Sequence, residues 1–178
     1  VTTLSGFSSS WRAPVVADLN ADGTQEILLG ESVFNALGVR QWGVTLDGDS
    51  TFAAVADIDG DAGGESFWVT GDSLYIVDDN GTVLRTVSLN ASSSRPGPPS
   101  VADFDGDGAV EISVPGSAML ETFEIDGTRM WSASITDNSG IAGCSGYDVN
   151  ADGAYEVLYA DEQRLRIFDG TTGAVVYE

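Results

Sequence analysis

Four short stretches of the chain carry oxygen-bearing side chains at the same offsets. Counted over nine residues from the first aspartate, positions 1, 3, 5 and 9 are Asp18, Asn20, Asp22 and Glu26 in the first stretch and Asp57, Asp59, Asp61 and Glu65 in the second. The third carries Asp103, Asp105, Asp107 and Glu111, and the fourth Asp148, Asn150, Asp152 and Glu156. Alternate positions on a tightly curling loop converge on one point, and position 7 can add its backbone carbonyl, from Thr24, Gly63, Ala109 or Ala154. Glycine at position 6 (Gly23, Gly108, Gly153) permits the sharp turn that brings position 9 back; the second loop has Ala62 there, followed by Gly63 and Gly64.

Such a set suits a hard cation. It offers several oxygens in a tolerant geometry with no nitrogen or sulfur, as Ca²⁺ prefers, whereas Mg²⁺ wants fewer protein ligands and a stricter octahedron. Two carboxylates about 4 Å apart repel by about 4 kcal/mol at an effective dielectric of about 20. Fourteen of the 28 acids fall in these loops, so holding them close without a cation is unfavourable. Up to four Ca²⁺ are expected, which would bring the formal charge from −21 to −13. The competing reading, Asx-turns with solvated acids and no metal, suits one isolated loop better than four in register. The opening D-x-[DN]-x-[DN]-G is that of an EF-hand, but the closing acid comes at position 9 rather than 12 and the flanks are strands.

The elements that position the loops repeat with them. The first aspartates are 39, 46 and 45 residues apart, the period of small stacked sheet modules. In the third copy, 99–104 and 110–114 flank the acidic loop as extended runs, 119–125 roughly alternates, and 128–135 follows the Asp126-Gly127 turn. Asn80-Gly81 and Asp169-Gly170 are hairpin signals of the same kind. No stretch sustains a 3.6-residue period. The expected fold is all-β: a β-propeller of four four-stranded blades near 13–46, 52–90, 98–136 and 141–178. Residues 1–8 are expected to be the outer strand of a preceding blade. That favours an arc of a larger propeller, or one completed by another chain, over the alternative of a closed four-bladed ring. The proline-rich stretch 92–99 reads as a loop, since the repeat resumes in phase after it.

The repeats resemble the FG-GAP and VCBS family of calcium-binding β-propeller blades, which includes the integrin α-subunit head. The resemblance covers essentially the whole chain through its repeated D-x-[DN]-x-D-G-x-x-[DE] loop. It implies that the residues above are calcium ligands and that each loop joins the first and second strands of a blade. No copy has a clear Phe-Gly or Gly-Ala-Pro signature, and Glu closes every loop where Asp is common in the family.

The remaining chemistry is narrow. The seven bases are all arginine and there is no histidine, which excludes Schiff-base lysines, Ser-His-Asp and Cys-His arrangements and imidazole-bound zinc. A charge of −21 disfavours nucleic acid and anionic lipid, and no apolar run is long enough to span a bilayer. The chain opens at Val1 without a leader, so an export signal is expected to have been removed or to lie outside this sequence. Trp11, Trp42, Trp68 and Trp131 could stack on sugars, but the matching places of Trp42 and Trp131 point to packing between blades. Cys144 stands where other copies have Pro14, Ala53 and Pro99, a small buried slot. Asp78-Asp79 and Asp161-Glu162 read as solvated turn acids, and Asn80-Gly81-Thr82 and Asn90-Ala91-Ser92 match the N-glycosylation pattern. The expected function is an extracellular or cell-surface module, calcium-stabilised, for adhesion or for binding a protein or glycan. The alternative is the non-catalytic or catalytic part of a secreted polysaccharide-active enzyme.

Overall fold

Short runs of β-branched and aromatic residues, punctuated by Gly and Asp, give only strands and turns in the computed structural model, which describes residues 12–46, 48, 51–90 and 96–178. Sixteen strands form four antiparallel sheets, each built from four consecutive strands in sequence order. Sheet 1 comprises β1 (Val15–Ala17), β2 (Glu26–Leu29), β3 (Ser32–Phe34) and β4 (Arg40–Gly43). Sheet 2 comprises β5 (Phe52–Ala56), β6 (Glu65–Thr70), β7 (Ser73–Val77) and β8 (Val83–Ser88). Sheet 3 follows with β9 (Ser100–Ala102), β10 (Glu111–Pro115), β11 (Met119–Phe123) and β12 (Arg129–Ser134). Sheet 4 ends the series with β13 (Cys144–Tyr147), β14 (Glu156–Ala160), β15 (Leu165–Phe168) and β16 (Val175–Tyr177). The same bulge interrupts the pairing of third and fourth strands in every sheet, at Val33/Phe34, Ile76/Val77, Thr122/Phe123 and Ile167/Phe168.

The sheets stack face to face, with their first strands side by side, as blades of a propeller do. The hydrophobic core is therefore divided into three slabs. Leu28, Val33 and Trp68 join sheets 1 and 2; Phe67, Ile76 and Phe123 join sheets 2 and 3; Leu120, Trp131 and Tyr159 join sheets 3 and 4. Strands β6 and β10 are buried along their whole length because both faces of their sheets are covered, whereas β2 alternates. Sheets 1 and 4 do not pack on each other as consecutive sheets do, so the four blades form an open arc. The closed four-bladed ring is thereby corrected: three slabs join four sheets, and the fourth that closure needs is missing among the described residues. The strand expected at 1–8, Trp11 and the stretch 91–95 lie outside the described residues.

Trp42, Trp68 and Trp131 act as packing groups. Trp42 and Trp131 hold the same register on the outer strands, opposite Val33 and Thr122. Each ring lies on the hairpin glycine of the next sheet, so a Cβ there would come within 2.9 Å of Trp42 at Gly81 and 2.5 Å of Trp131 at Gly173. The Trp131 indole N–H also donates to the Gly170 carbonyl. In sheet 4 it is Gly173, not Gly170, that takes the left-handed conformation of the turn, because that hairpin is longer. Trp68 is fully buried between sheets 1 and 2.

Candidate metal centre

Each acidic loop joins the first two strands of its sheet and is organised by its own side chains. In the third loop Asp103 Oδ1 accepts from the Gly106 N–H (2.7 Å), Asp103 Oδ2 from the Gly108 N–H (3.0 Å) and Asp107 Oδ1 from the Ala109 N–H (2.8 Å). The fourth loop repeats this: Asp148 accepts from the Asp152 and Gly153 N–H groups and Asp152 from Ala154. The first loop does the same through Asp18, Asn20 and Asp22, where the Thr24 amide and hydroxyl both donate to Asp22 Oδ1 and hold its carboxyl below the usual range. The second uses Asp57, Asp59 and Asp61.

The curl requires left-handed residues at two positions, not one. Position 6 has positive φ at Gly23, Gly108 and Gly153, as the sequence led us to expect, and also at Ala62, where the glycine is replaced; position 4 (Ala21, Gly60, Gly106, Ala151) has it too. Alanine holds this conformation at three of the eight places, at a cost of about 1–2 kcal/mol each. Strain of this size persists where the surroundings over-determine it.

The closing glutamate plays one part in every copy. The backbone N–H of position 2 donates to it: Leu19 to Glu26 (3.1 Å), Ile58 to Glu65 (2.9 Å), Phe104 to Glu111 (2.6 Å) and Val149 to Glu156 (2.7 Å). One oxygen of each carboxylate is thus tied down. The other differs between copies. Glu156 Oε1 accepts from the Asn150 side-chain amide (2.8 Å), while Glu65 Oε1 and Glu111 Oε1 are buried without a hydrogen-bond partner.

Asp103, Asp105, Asp107 and Glu111 each bring a carboxylate oxygen to within 4.8 Å of the others, and Asp57, Asp59 and Asp61 do likewise. Glu65 stands apart from its cluster by that measure, and no carboxylate cluster of this kind forms at Asp18, Asp22 and Glu26 or at Asp148, Asp152 and Glu156. Asn20 and Asn150 replace an acid there. Burial, and then the charges of Asp105, Glu124 and Asp103, push Glu111 up to about 7 against the pull of the Phe104 N–H. Burial raises Glu65 as well. A buried carboxylate with one idle oxygen beside three aspartates fits an oxygen-seeking cation well at loop 3. Loop 2 fits partly.

Two acids stand beside these loops that the sequence reading did not connect with them: it makes Asp79 a solvated turn acid and passes over Glu124. Asp79, on the hairpin of sheet 2, reaches the second loop: a Cβ at Gly63 would meet Asp79 Oδ2 at 2.9 Å and Asp61 Oδ1 at 3.1 Å. Burial and the charges of Asp78 and Asp61 raise it. Glu124, on the matching hairpin of sheet 3, is raised by burial and by Asp105 and Asp107. The signal available was the repeat itself, which in sheets 2 and 3 brings the third-to-fourth hairpin back toward its own acidic loop. Asp161 is a correction of another kind. Its side chain is buried and paired with Arg166 at 3.0 Å, so it is no solvated turn acid. Cys144 is partly buried as a residue, but its thiol lies 3.4 Å from the Ser113 carbonyl, and burial pushes it up to about 12.

No family model and no curated protein matches the chain. Among solved structures it is similar to the biofilm matrix protein Bap1 of V. cholerae, with a TM-score of 0.82 and 16% identity over 96% of this chain and 56% of that one. It is also similar to the rhamnogalacturonan lyase YesW (0.69, 17%, 97% of this chain and 44% of the lyase). A third is an Agrocybe aegerita lectin that recognises non-reducing terminal N-acetylglucosamine (0.55, 14%, 95% and 52%). The chain spans about half the length of these structures, and identities this low show a shared fold.

Proposed function

We propose that this chain is a calcium-stabilised β-propeller module of the FG-GAP/VCBS kind that presents its blades to a glycan or protein partner outside the cell. The observation that carries the metal reading is Glu111, a buried carboxylate with one oxygen bound to the Phe104 amide and the other idle beside three aspartates. Asp103, Asp105, Asp107 and Glu111 would hold the ion in loop 3. In loop 2, Asp57, Asp59 and Asp61 would, with Glu65 and Asp79 nearby. Asp18, Asn20, Asp22 and Glu26, and likewise Asp148, Asn150, Asp152 and Glu156, are the weaker sets, since Asn supplies a neutral oxygen and one of these amides is already spent on Glu156. Bound calcium supplies the positive charge that offsets the repulsion of the loop. The carbonyls of Thr24, Gly63, Ala109 and Ala154 complete the expected donor sets.

Calcium loops of this chemistry fill at micromolar to millimolar concentrations, which extracellular fluid provides and cytosol does not. Likeness to a matrix protein and a glycan-recognising lectin supports a binding role there. The lyase likeness supports the second reading, a part of a polysaccharide-active enzyme, although the absence of His and Lys leaves few general bases. Thermal melts in EDTA and in calcium test the metal. One site at 100 times its Kd adds about 2.7 kcal/mol, or roughly 5–10 °C for a chain of this size, and an unchanged Tm refutes it. A glycan array run beside an assay on acidic polysaccharides separates binding from turnover.

A further inference from the structure

The outer strands repeat one seat, and its occupant changes at the middle junction. Arg85 of β8 pairs with Ile76 just ahead of the bulge, as Trp42 pairs with Val33 and Trp131 with Thr122. It also lies on the hairpin glycine of the next sheet: a Cβ at Gly127 would meet Arg85 Cδ at 3.2 Å, where one at Gly81 or Gly173 would meet a tryptophan ring. Between sheets 1 and 2, and between sheets 3 and 4, an indole occupies this groove. Between sheets 2 and 3 the arginine stem covers the glycine alone, and a cleft of about 410 Å³ opens beside it. Both walls of this cleft are interior sheets of the arc. Arg85 enters from sheet 2 and Arg129 from sheet 3, with Asp126 the one acid in the lining, in a chain whose formal charge is −21. Arg129 is held from behind. Its Nε pairs at 2.8 Å with Glu121, a side chain 1% exposed, and its guanidinium stands 5.5 Å from the centre of the Phe123 ring. That commits one nitrogen of the fork. Arg85 makes no hydrogen bond or ion pair among the described residues, while Asp126 already accepts from the Thr128 N–H (2.8 Å). Strand β8 is the edge of its sheet, so alternate backbone N–H and C=O groups along it face outward without a ladder partner.

We propose that this cleft takes the carboxylate of a uronic-acid residue in an acidic glycan, with Arg85 and Arg129 donating to it from the two sheets and the β8 edge meeting the sugar hydroxyls. The proposal rests on the reading of the chain as a glycan-binding module and narrows it to one site and one sugar chemistry. The planar fork of a guanidinium matches a carboxylate, and one already oriented by a buried acid loses little freedom on binding. Asp126 penalises a doubly charged phosphate more than a singly charged carboxylate. A peptide finds no exposed apolar seat here, since Val87 and Phe123, the large apolar residues of the lining, are buried. The volume falls in the range of about 300–1,000 Å³ that small-ligand sites occupy.

Titration calorimetry of the whole chain with oligogalacturonate, calcium being fixed by dialysis, tests this against two probes of equal length, the methyl-esterified oligomer and a neutral galactose oligomer. Saturable binding of the acid form is expected, at least about tenfold tighter than that of the other two, the worth of one charge-assisted hydrogen bond. Arg85→Gln changes an exposed side chain and should weaken binding of the acid form by a similar factor at unchanged Tm. Arg85→Trp fills the cleft as the other two junctions are filled and should abolish binding without lowering Tm. Arg40→Gln, at an exposed arginine of sheet 1, should bind as the parent does. Binding of the acid form that survives both Arg85 substitutions assigns the carboxylate to calcium in the acidic loops and overturns the proposal. Failure of the acid form to bind, or equal binding of all three probes, overturns it too. A chain that captures neutral glycans on an array but not the acid oligomer loses this site and keeps the glycan reading, whereas an array without a hit removes that reading itself.

Discussion

Glu111→Gln should change stability in opposite directions with and without calcium. The substitution keeps an oxygen that can accept from the Phe104 N–H and removes the charge from a fully buried side chain. Three other carboxylate oxygens lie within 4.8 Å. Unit charges at that separation repel by about 3.5 kcal/mol at a dielectric of about 20, and by about 0.9 kcal/mol if screened as in water. Asp103 and Asp105 are half-buried and Asp107 is exposed, so the water-like end applies, and relief from three neighbours comes to about 2–3 kcal/mol. In EDTA at about pH 8 the variant should therefore be more stable than the parent by about that amount, measured by urea unfolding. The sign of the pH dependence follows from the raised carboxyl. The metal-free parent holds the Glu111 proton below its ordinary value of 4.5 and loses stability as the pH rises toward about 7, so the gap opens across that window and is absent at lower pH. With saturating calcium the order reverses, because the variant forfeits a ligand. A variant less stable than the parent in EDTA at about pH 8, or one with an undiminished calcium response, refutes the reasoning.

Ala62→Gly should stabilise the protein by up to about 1 kcal/mol, since φ is +80° there and the relief of left-handed strain exceeds glycine's entropic cost; a loss of stability on denaturant unfolding counts against that account. Trp131→Ala should cost about 3–5 kcal/mol, because the ring fills the slab between sheets 3 and 4 and closes over Gly173. Cys144 should react with a thiol reagent at about pH 8 only as fast as the protein opens, its thiol being held protonated up to about 12; rapid stoichiometric labelling of the native chain would contradict this.

The sheets could be read from the sequence because their period is two and their loops repeat in phase, so a strand missed in one copy is supplied by another. The acidic loops could be read because hard-oxygen donors at alternate positions are rare in ordinary turns. What the sequence hid has a common cause. Ala21 and Ala151 look unremarkable, yet take the left-handed conformation that Gly60 and Gly106 announce openly in the other copies. Asp161 looked like a turn acid because its partner Arg166 is five residues away on the next strand, and only folding buries the two together. Leu74 and Leu165 are the same residue in the same register, one enclosed and one open. Burial of a blade face is a property of the next blade, and no local pattern can state it.

Position 2 of each loop ties the electrostatic and apolar parts of the design together. Its backbone N–H is held by the closing glutamate, which is also the buried member of the carboxylate cluster in loop 3. Its side chain, where a next sheet exists, goes into or against the slab: Leu19 and Phe104 are core residues and Ile58 packs against it. Neighbouring loops are joined at or next to this position, the Gly64 N–H donating to the carbonyl of Leu19 (2.7 Å) and the Tyr155 N–H to that of Asp103, one residue before Phe104 (3.0 Å). Whatever fixes the glutamate therefore fixes the seat of the following blade. A cation in loop 3 would stiffen the junction of sheets 3 and 4, not merely its own turn. Amide exchange should then slow at Tyr155 and through the β13–β14 ladder when calcium is added. Protection confined to the loop amides of 104–109 would separate the two parts and leave the blade junctions to hydrophobic packing alone.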